Sequence, residues 1–171
     1  VTVAAALVSV ILGAFLAWSE NAAWFALVPV WLFLRMALNA VDGMLAREHG
    51  QKSTLGAYLN EIGDVVSDAA LYAPFALIAP FTGPWIFAII FLATLTEFAG
   101  VAGASAGASR RYDGPMGKSD RAVVFGVLGA WIAIDGILPQ WVFWLQPLLC
   151  LLLAATTVKR IANGINEAKS G

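Results

Sequence analysis

The chain has 171 residues, of which 60% are hydrophobic and 12% charged, with 10 Lys+Arg against 11 Asp+Glu and a net charge of −1. A soluble domain carries about 25% charged residues, and a mean hydropathy of +0.80 leaves more apolar surface than so small a soluble core can hide, which excludes a soluble domain and a disordered segment. The balanced charge excludes nucleic acid as a partner, and the single cysteine, Cys150, excludes an intrachain disulfide or a cysteine-based metal cluster.

A bilayer core takes about 20 mostly apolar residues per helix, and six such stretches follow one another. Residues 1–17 carry no charge and lack the basic start of a signal peptide. The second stretch, 22–41, is interrupted by Arg35 and Asn39. The third runs from about 56 to 81 and carries Asn60, Glu61, Asp64 and Asp68 in its first half. The fourth, 85–104, contains Glu97; the fifth, 122–138, contains Asp135; the sixth, 141–158, has no charge. Breaks fall at Ser19-Glu20-Asn21, between Pro80 and Pro84, and at Pro139-Gln140. No stretch alternates as a barrel strand does. The expected fold is an all-α, polytopic integral membrane protein of about six transmembrane helices, one domain over residues 1–171.

The basic residues orient it. Arg47 and Lys52 lie in the second connector, Arg110, Arg111, Lys118 and Arg121 in or at the end of the fourth, and Lys159, Arg160 and Lys169 in the tail. With six spans all nine share one face, and the opposite connectors hold only Glu20 and Asp135. The positive-inside rule makes that face cytoplasmic, with both termini there. Trp18, Trp24, Trp85, Trp141 and Trp144 near span ends fit an interfacial belt. The pairs Gly100/Ala104 and Gly103/Gly107 predict close helix packing.

An ionisable residue inside a span is costly and marks a functional site by default. Arg35, Asn39, Asp42 and Ala46 are spaced 4, 3 and 4, and Gly56, Asn60, Asp64 and Asp68 are spaced 4, 4 and 4. Each set is one helical face, and a short connector lets the two faces meet near the cytoplasmic surface. Carboxylates and amide oxygens clustered in this way suit a hard divalent cation, Mg²⁺ or Mn²⁺. Gly43, Ala46 and Gly56 are small where a ligand would approach the backbone, and Arg47 at the mouth offers a fork of donors for a phosphate. Arg35 lies about two turns deeper than Asp42, placed to pair with it, with Glu97 or with a substrate phosphate. His49 reads as a solvated loop histidine.

The run Asn39-Ala-Val-Asp42-Gly43-Met-Leu-Ala46-Arg47, followed after eight residues by Gly56-x3-Asn60-x3-Asp64, resembles the signature of the CDP-alcohol phosphatidyltransferases, D-x2-D-G-x2-A-R-x8-G-x3-D-x3-D. Every spacing is kept; Asn39 and Asn60 stand where the first and third aspartates are expected. Val1-Thr2 resembles the end of the segment that leads into the family's first span, which implies juxtamembrane residues before Val1. The resemblance implies a bacterial cytoplasmic (inner) membrane enzyme, typically a homodimer. It would move a phosphatidyl group from CDP-diacylglycerol to a small alcohol such as glycerol 3-phosphate or an inositol phosphate, releasing CMP. It implies Asn39, Asp42, Asn60 and Asp64 as metal ligands and Asp64 as general base. For the charge the two amides lack, helix geometry favours Asp68, one turn beyond Asp64 on the same face, over Glu61, which points about 100° away from Asn60. Asp42, Gly43, Ala46, Arg47 and Gly56 would hold the CDP-lipid, and Arg110, Arg111 and Lys118 the acceptor. The two amides leave open a degenerate relative that binds lipid or nucleotide without transfer; a small transporter using Arg35, Asp64, Asp68 and Glu97 would not explain the glycine spacings.

Overall fold

In the computed structural model, which describes residues 2–48 and 53–170, the six expected spans are six α-helices. They are α1 (Thr2–Trp18), α2 (Leu27–Glu48), α3 (Thr54–Tyr72), α4 (Gly83–Ser105), α5 (Lys118–Asp135) and α6 (Leu145–Ser170). Short 3₁₀ turns at Ala22–Ala26, Ala73–Leu77 and Gln140–Trp144 join them, and there is no strand among the described residues.

The breaks read from sequence act as caps. The Asn21 side chain accepts from Ala23 N at 2.9 Å, and Ser53 Oγ accepts from Gly56 N at 3.0 Å at the start of α3; both satisfy donors that a helix start leaves orphaned. Pro84 sits in the first turn of α4, where its missing N–H costs nothing. Gly136, at φ +72°, closes α5 in the left-handed conformation that glycine adopts without strain.

The helices pack as α1 on α3, α2 on α5 and α4 on α6, with α3 against α4. Gly13 sets the closeness of the first pair, since a Cβ there would lie 2.1 Å from Ala70 O. Helices α2 and α3 are not among the closely packed pairs; the gap between them becomes the site described below. Two turns deeper, an aromatic cluster closes the bundle. Tyr72 stacks on Phe125 with ring centroids 3.8 Å apart, and Phe75 meets Phe25, Phe81 and Phe125 edge to face. Such pairs add about 0.5–1.5 kcal/mol each beyond area burial.

Helices over Ala22–Met44, Gly83–Ser105 and Gln140–Ser170 are each long and apolar enough to cross a membrane, and α1 is apolar but shorter. Their outward faces carry large apolar residues such as Ile11, Phe33, Phe87 and Leu151, as a lipid-facing surface requires. Helices α3 and α5 fall short of that hydropathy because they carry the acids and bases of the site.

Candidate active site

Where α2 ends and α3 and α5 begin, the bundle opens into a cavity of about 920 Å³. From α2 it is lined by Asn39, Asp42 and Gly43, from α3 by Gly56, Asn60, Glu61 and Asp64, and from the opposite wall by Arg110, Lys118 and Arg160. The two helical faces expected from spacing therefore converge on one space. Asn39 Nδ2 donates to Asp64 Oδ1 at 3.1 Å and bridges the gap between α2 and α3. Lys118 Nζ lies 2.5 Å from Asp64 Oδ2, and Arg35 NH2 is 3.6 Å from Asp64 Oδ1. Ala46 and Arg47 sit in the last turn of α2, but their side chains, like His49 and Lys52, fall outside the described residues.

Three expectations are corrected. Asp68 does not line the cavity; it is buried behind Asp64, with Oδ1 2.6 Å from Arg35 NH2 and Oδ2 3.0 Å from Arg121 NH2. A carboxylate whose oxygens are taken by two guanidiniums is a poor candidate for a metal ligand. Arg35 consequently partners Asp68 and Asp64, not Asp42 or Glu97. Arg111 also lies away from the cavity, held by Asp113 at 2.8 Å and Glu167 at 2.6 Å, so it is a loop anchor and not an acceptor contact. The Arg111 guanidinium holds the Asp113 carboxyl below its usual range. A lowered carboxylate pKa adds stability that is complete above the unfolded value and fades as pH falls past it, so this anchor is in place at neutral pH.

Glu97 is a hub. Its Oε1 is 3.0 Å from Arg121 NH2, and its Oε2 is 3.3 Å from Arg160 NH1 and 3.6 Å from Arg110 NH2. Arg160 also donates to Thr96 O at 2.5 Å and to Asp113 O at 3.1 Å. The pairs Arg35–Asp68–Arg121–Glu97–Arg160 thus form one continuous buried layer from α2 to α6. Burying these charges is tolerable because each is paired and hydrogen-bonded.

Arg160, expected only as one of the basic residues of the tail, is 2% exposed. Its signal was present: Leu149, Leu153, Thr156, Arg160 and Gly164 continue one buried helical face well beyond the apolar stretch. Glu61 was set aside as pointing away from Asn60, but its longer side chain reaches the cavity and meets Arg110 NH2 at 2.5 Å. The small residues at and just beyond the end of α4 receive a loop as well as α6, whose Arg160 and Ala168 come up to Gly100 and Gly107. Arg111 N donates to Gly100 O at 3.0 Å, and a Cβ on Gly100 would lie 2.6 Å from Arg111 O. This contact fixes the segment that carries Arg110 over the cavity.

The residues match the CDP-alcohol phosphatidyltransferase family over positions 1–154. The chain belongs to the CDP-alcohol phosphatidyltransferase family. It is also 44% identical over 163 residues to the inner membrane protein YnbA of Escherichia coli (strain K12), covering 94% of this chain and 80% of that protein. No solved structure matches. Family membership makes the chain an integral membrane protein and associates it with phosphatidyl transfer from a CDP-alcohol to an acceptor alcohol in phospholipid synthesis. CDP-alcohol phosphatidyltransferases generally depend on a divalent metal. Here no group of three or more His, Cys, Asp or Glu side chains capable of sharing a metal ion occurs among the described residues. Of the other carboxylates lining the cavity, Glu61 is held by Arg110, Glu97 by Arg121 and Arg160, and Asp120 by Gly117 N. Where the α2 and α3 faces meet, the donor set is two carboxylates, Asp42 and Asp64, with the amides of Asn39 and Asn60. All four offer oxygen, which suits a hard divalent ion, but only two bring charge.

Proposed function

We propose that this chain transfers a phosphatidyl group from CDP-diacylglycerol to the hydroxyl of a small alcohol and releases CMP. The observation that carries the reading is the convergence of Asn39, Asp42, Gly43, Gly56, Asn60 and Asp64 on one cavity, faced by Arg110 and Lys118. Asp42, with Asn39 and Asn60, would hold Mg²⁺ or Mn²⁺, which when bound neutralises phosphate charge. Gly43, Ala46 and Gly56 leave room for the nucleotide, and Arg47 pairs with its phosphates. Asp64 takes the proton from the acceptor hydroxyl; that oxygen bonds to the lipid-side phosphorus as the bond to CMP breaks. Catalysis of this kind is mostly positioning and charge neutralisation. Arg110 and Lys118 suit a phosphorylated acceptor such as glycerol 3-phosphate or an inositol phosphate. Asp68 acts through Arg35 and Arg121 as a positioning residue.

The basic end of the bundle supports a cytoplasmic active site and cytoplasmic termini, in a bacterial inner membrane, with residues 1–171 as a single domain. One observation favours the binding-only alternative: Lys118 sits on the oxygen of Asp64 that a base would use. CMP release from CDP-diacylglycerol by the purified chain, with Mg²⁺ or Mn²⁺ and a panel of alcohols, separates the two. Release is expected with at least one acceptor, and its absence with all of them would leave only binding. With that acceptor, Arg110→Ala should raise KM, whereas Arg111→Ala should leave KM unchanged; the reverse pattern would overturn the assignment of the two arginines.

A further inference from the structure

We propose that Lys118 is a built-in cation of the site: its ammonium supplies at Asp64 the charge that a second divalent ion would bring, so the cavity takes a single divalent ion. The inference rests on the metal-dependent reading above and adds a count to it.

The contact is set by helix register and is not that of a mobile surface lysine. Lys118 is the first residue of α5, whose start is fixed by Gly117 N donating to Asp120 Oδ2 at 2.9 Å. Three residues on, Arg121 is pinned to Asp68 at 3.0 Å. Asp64 and Asp68 are themselves one turn apart on α3. Lys118–Asp64 and Arg121–Asp68 are therefore successive rungs between two helices, and the buried rung holds the outer one in place. Arg35 approaches both acids from the other side, at 3.6 Å and 2.6 Å.

Asp64 is surrounded by donors. A carboxylate only accepts, so Asn39 has to turn its NH₂ toward Asp64. That leaves Oδ1 as the end of Asn39 able to meet a cation, and it commits Asp64 to its Lys118 and Asn39 partners. Of the two carboxylates in the donor set, one is already balanced by an ammonium. The remaining charge, on Asp42, supports one divalent ion; Glu61 and Glu97, which also line the cavity, are already paired with arginines, and Asp120 caps the start of α5, so a second ion would add two positive charges with no further carboxylate of the Asn39, Asp42, Asn60 and Asp64 set to meet them. An aspartate at position 39 could not donate this hydrogen bond and would repel Asp64. Asn39 and Lys118 are thus complementary: the amide makes sense beside a lysine-paired Asp64. An ammonium has three N–H donors, so Lys118 keeps two for a substrate phosphate.

The test counts Mn²⁺ bound per chain, by electron paramagnetic resonance of the free ion, in the purified full chain in detergent. The wild type is expected to bind one ion. The triple variant Lys118→Met, Asn39→Asp, Asn60→Asp should bind two, and Lys118→Arg, which keeps the charge, should still bind one. Two ions in the wild type, none in the wild type, or no gain in a folded triple variant would each overturn the proposal. If the triple variant fails to fold, the wild-type and Lys118→Arg counts decide it, since a gain on Lys118→Arg also overturns it. CMP release is read on the same preparation. One ion with no release would refute transfer and spare Lys118, whereas release with two ions would refute Lys118 alone.

Discussion

Replacing Asp64 with asparagine is expected to lower CMP release from CDP-diacylglycerol by about 10²–10⁴-fold, the range a positioned general base contributes. The substitution keeps the volume and one acceptor oxygen for Lys118, and Asn39 keeps a partner by turning its amide so that its oxygen accepts from the new NH₂. What it removes is the capacity to take a proton and the negative charge beside the reacting hydroxyl. The fold should survive, because Arg35 keeps its shorter contact to Asp68 at 2.6 Å. The measurement is the initial rate of the purified variant with saturating donor and acceptor, beside its thermal unfolding midpoint. A rate near wild type in a well-folded variant would refute Asp64 as the base.

The second large effect is on stability. Arg121 is buried, and its guanidinium serves Asp68, Glu97 and the Thr96 hydroxyl. Arg121→Met fills much of the space but takes one cation from each of two buried carboxylates, leaving Asp68 to Arg35 and Glu97 to Arg160 and Arg110. Removing one partner from a buried ion pair costs about 3–5 kcal/mol, and the variant should unfold at a clearly lower temperature in detergent. Arg111→Ala is the control. Arg111 also has two acidic partners, but those pairs are open to solvent, where a pair contributes about 0–1 kcal/mol. Equal unfolding midpoints for the two variants would show that the buried layer adds no more than a surface contact does.

Much of this site was readable because helical spacing is rigid. Asn39, Asp42, Asn60 and Asp64 share faces by period alone, and their family signature fixes which helices carry them. Asp68 followed the same period and was misread, since period gives the face but not the depth: one turn below Asp64 the cavity ends and the arginine layer begins. Arg160 was missed for the opposite reason. Its helix outruns the apolar stretch, and hydropathy stops signalling where the buried face goes on. Arg110 and Arg111 are neighbours in sequence, and only the loop's docking on Gly100 decides which one faces the cavity. No periodicity describes a loop, so that choice was invisible before the fold was known.

The uneven apolarity of the six helices also bears on the order in which the protein is built. An acid at the centre of a lone helix costs roughly 2.5–3.5 kcal/mol to insert, and α3 carries Asp64 and Asp68 together. During synthesis α2 and its Arg35 come first, and Arg35 answers part of that charge. Lys118 and Arg121 come about fifty residues later, on a helix that itself carries Asp120 and Asp135. Each of these two helices is the other's counterion. A chain lacking α5 would leave the two acids of α3 with Arg35 as their remaining counterion.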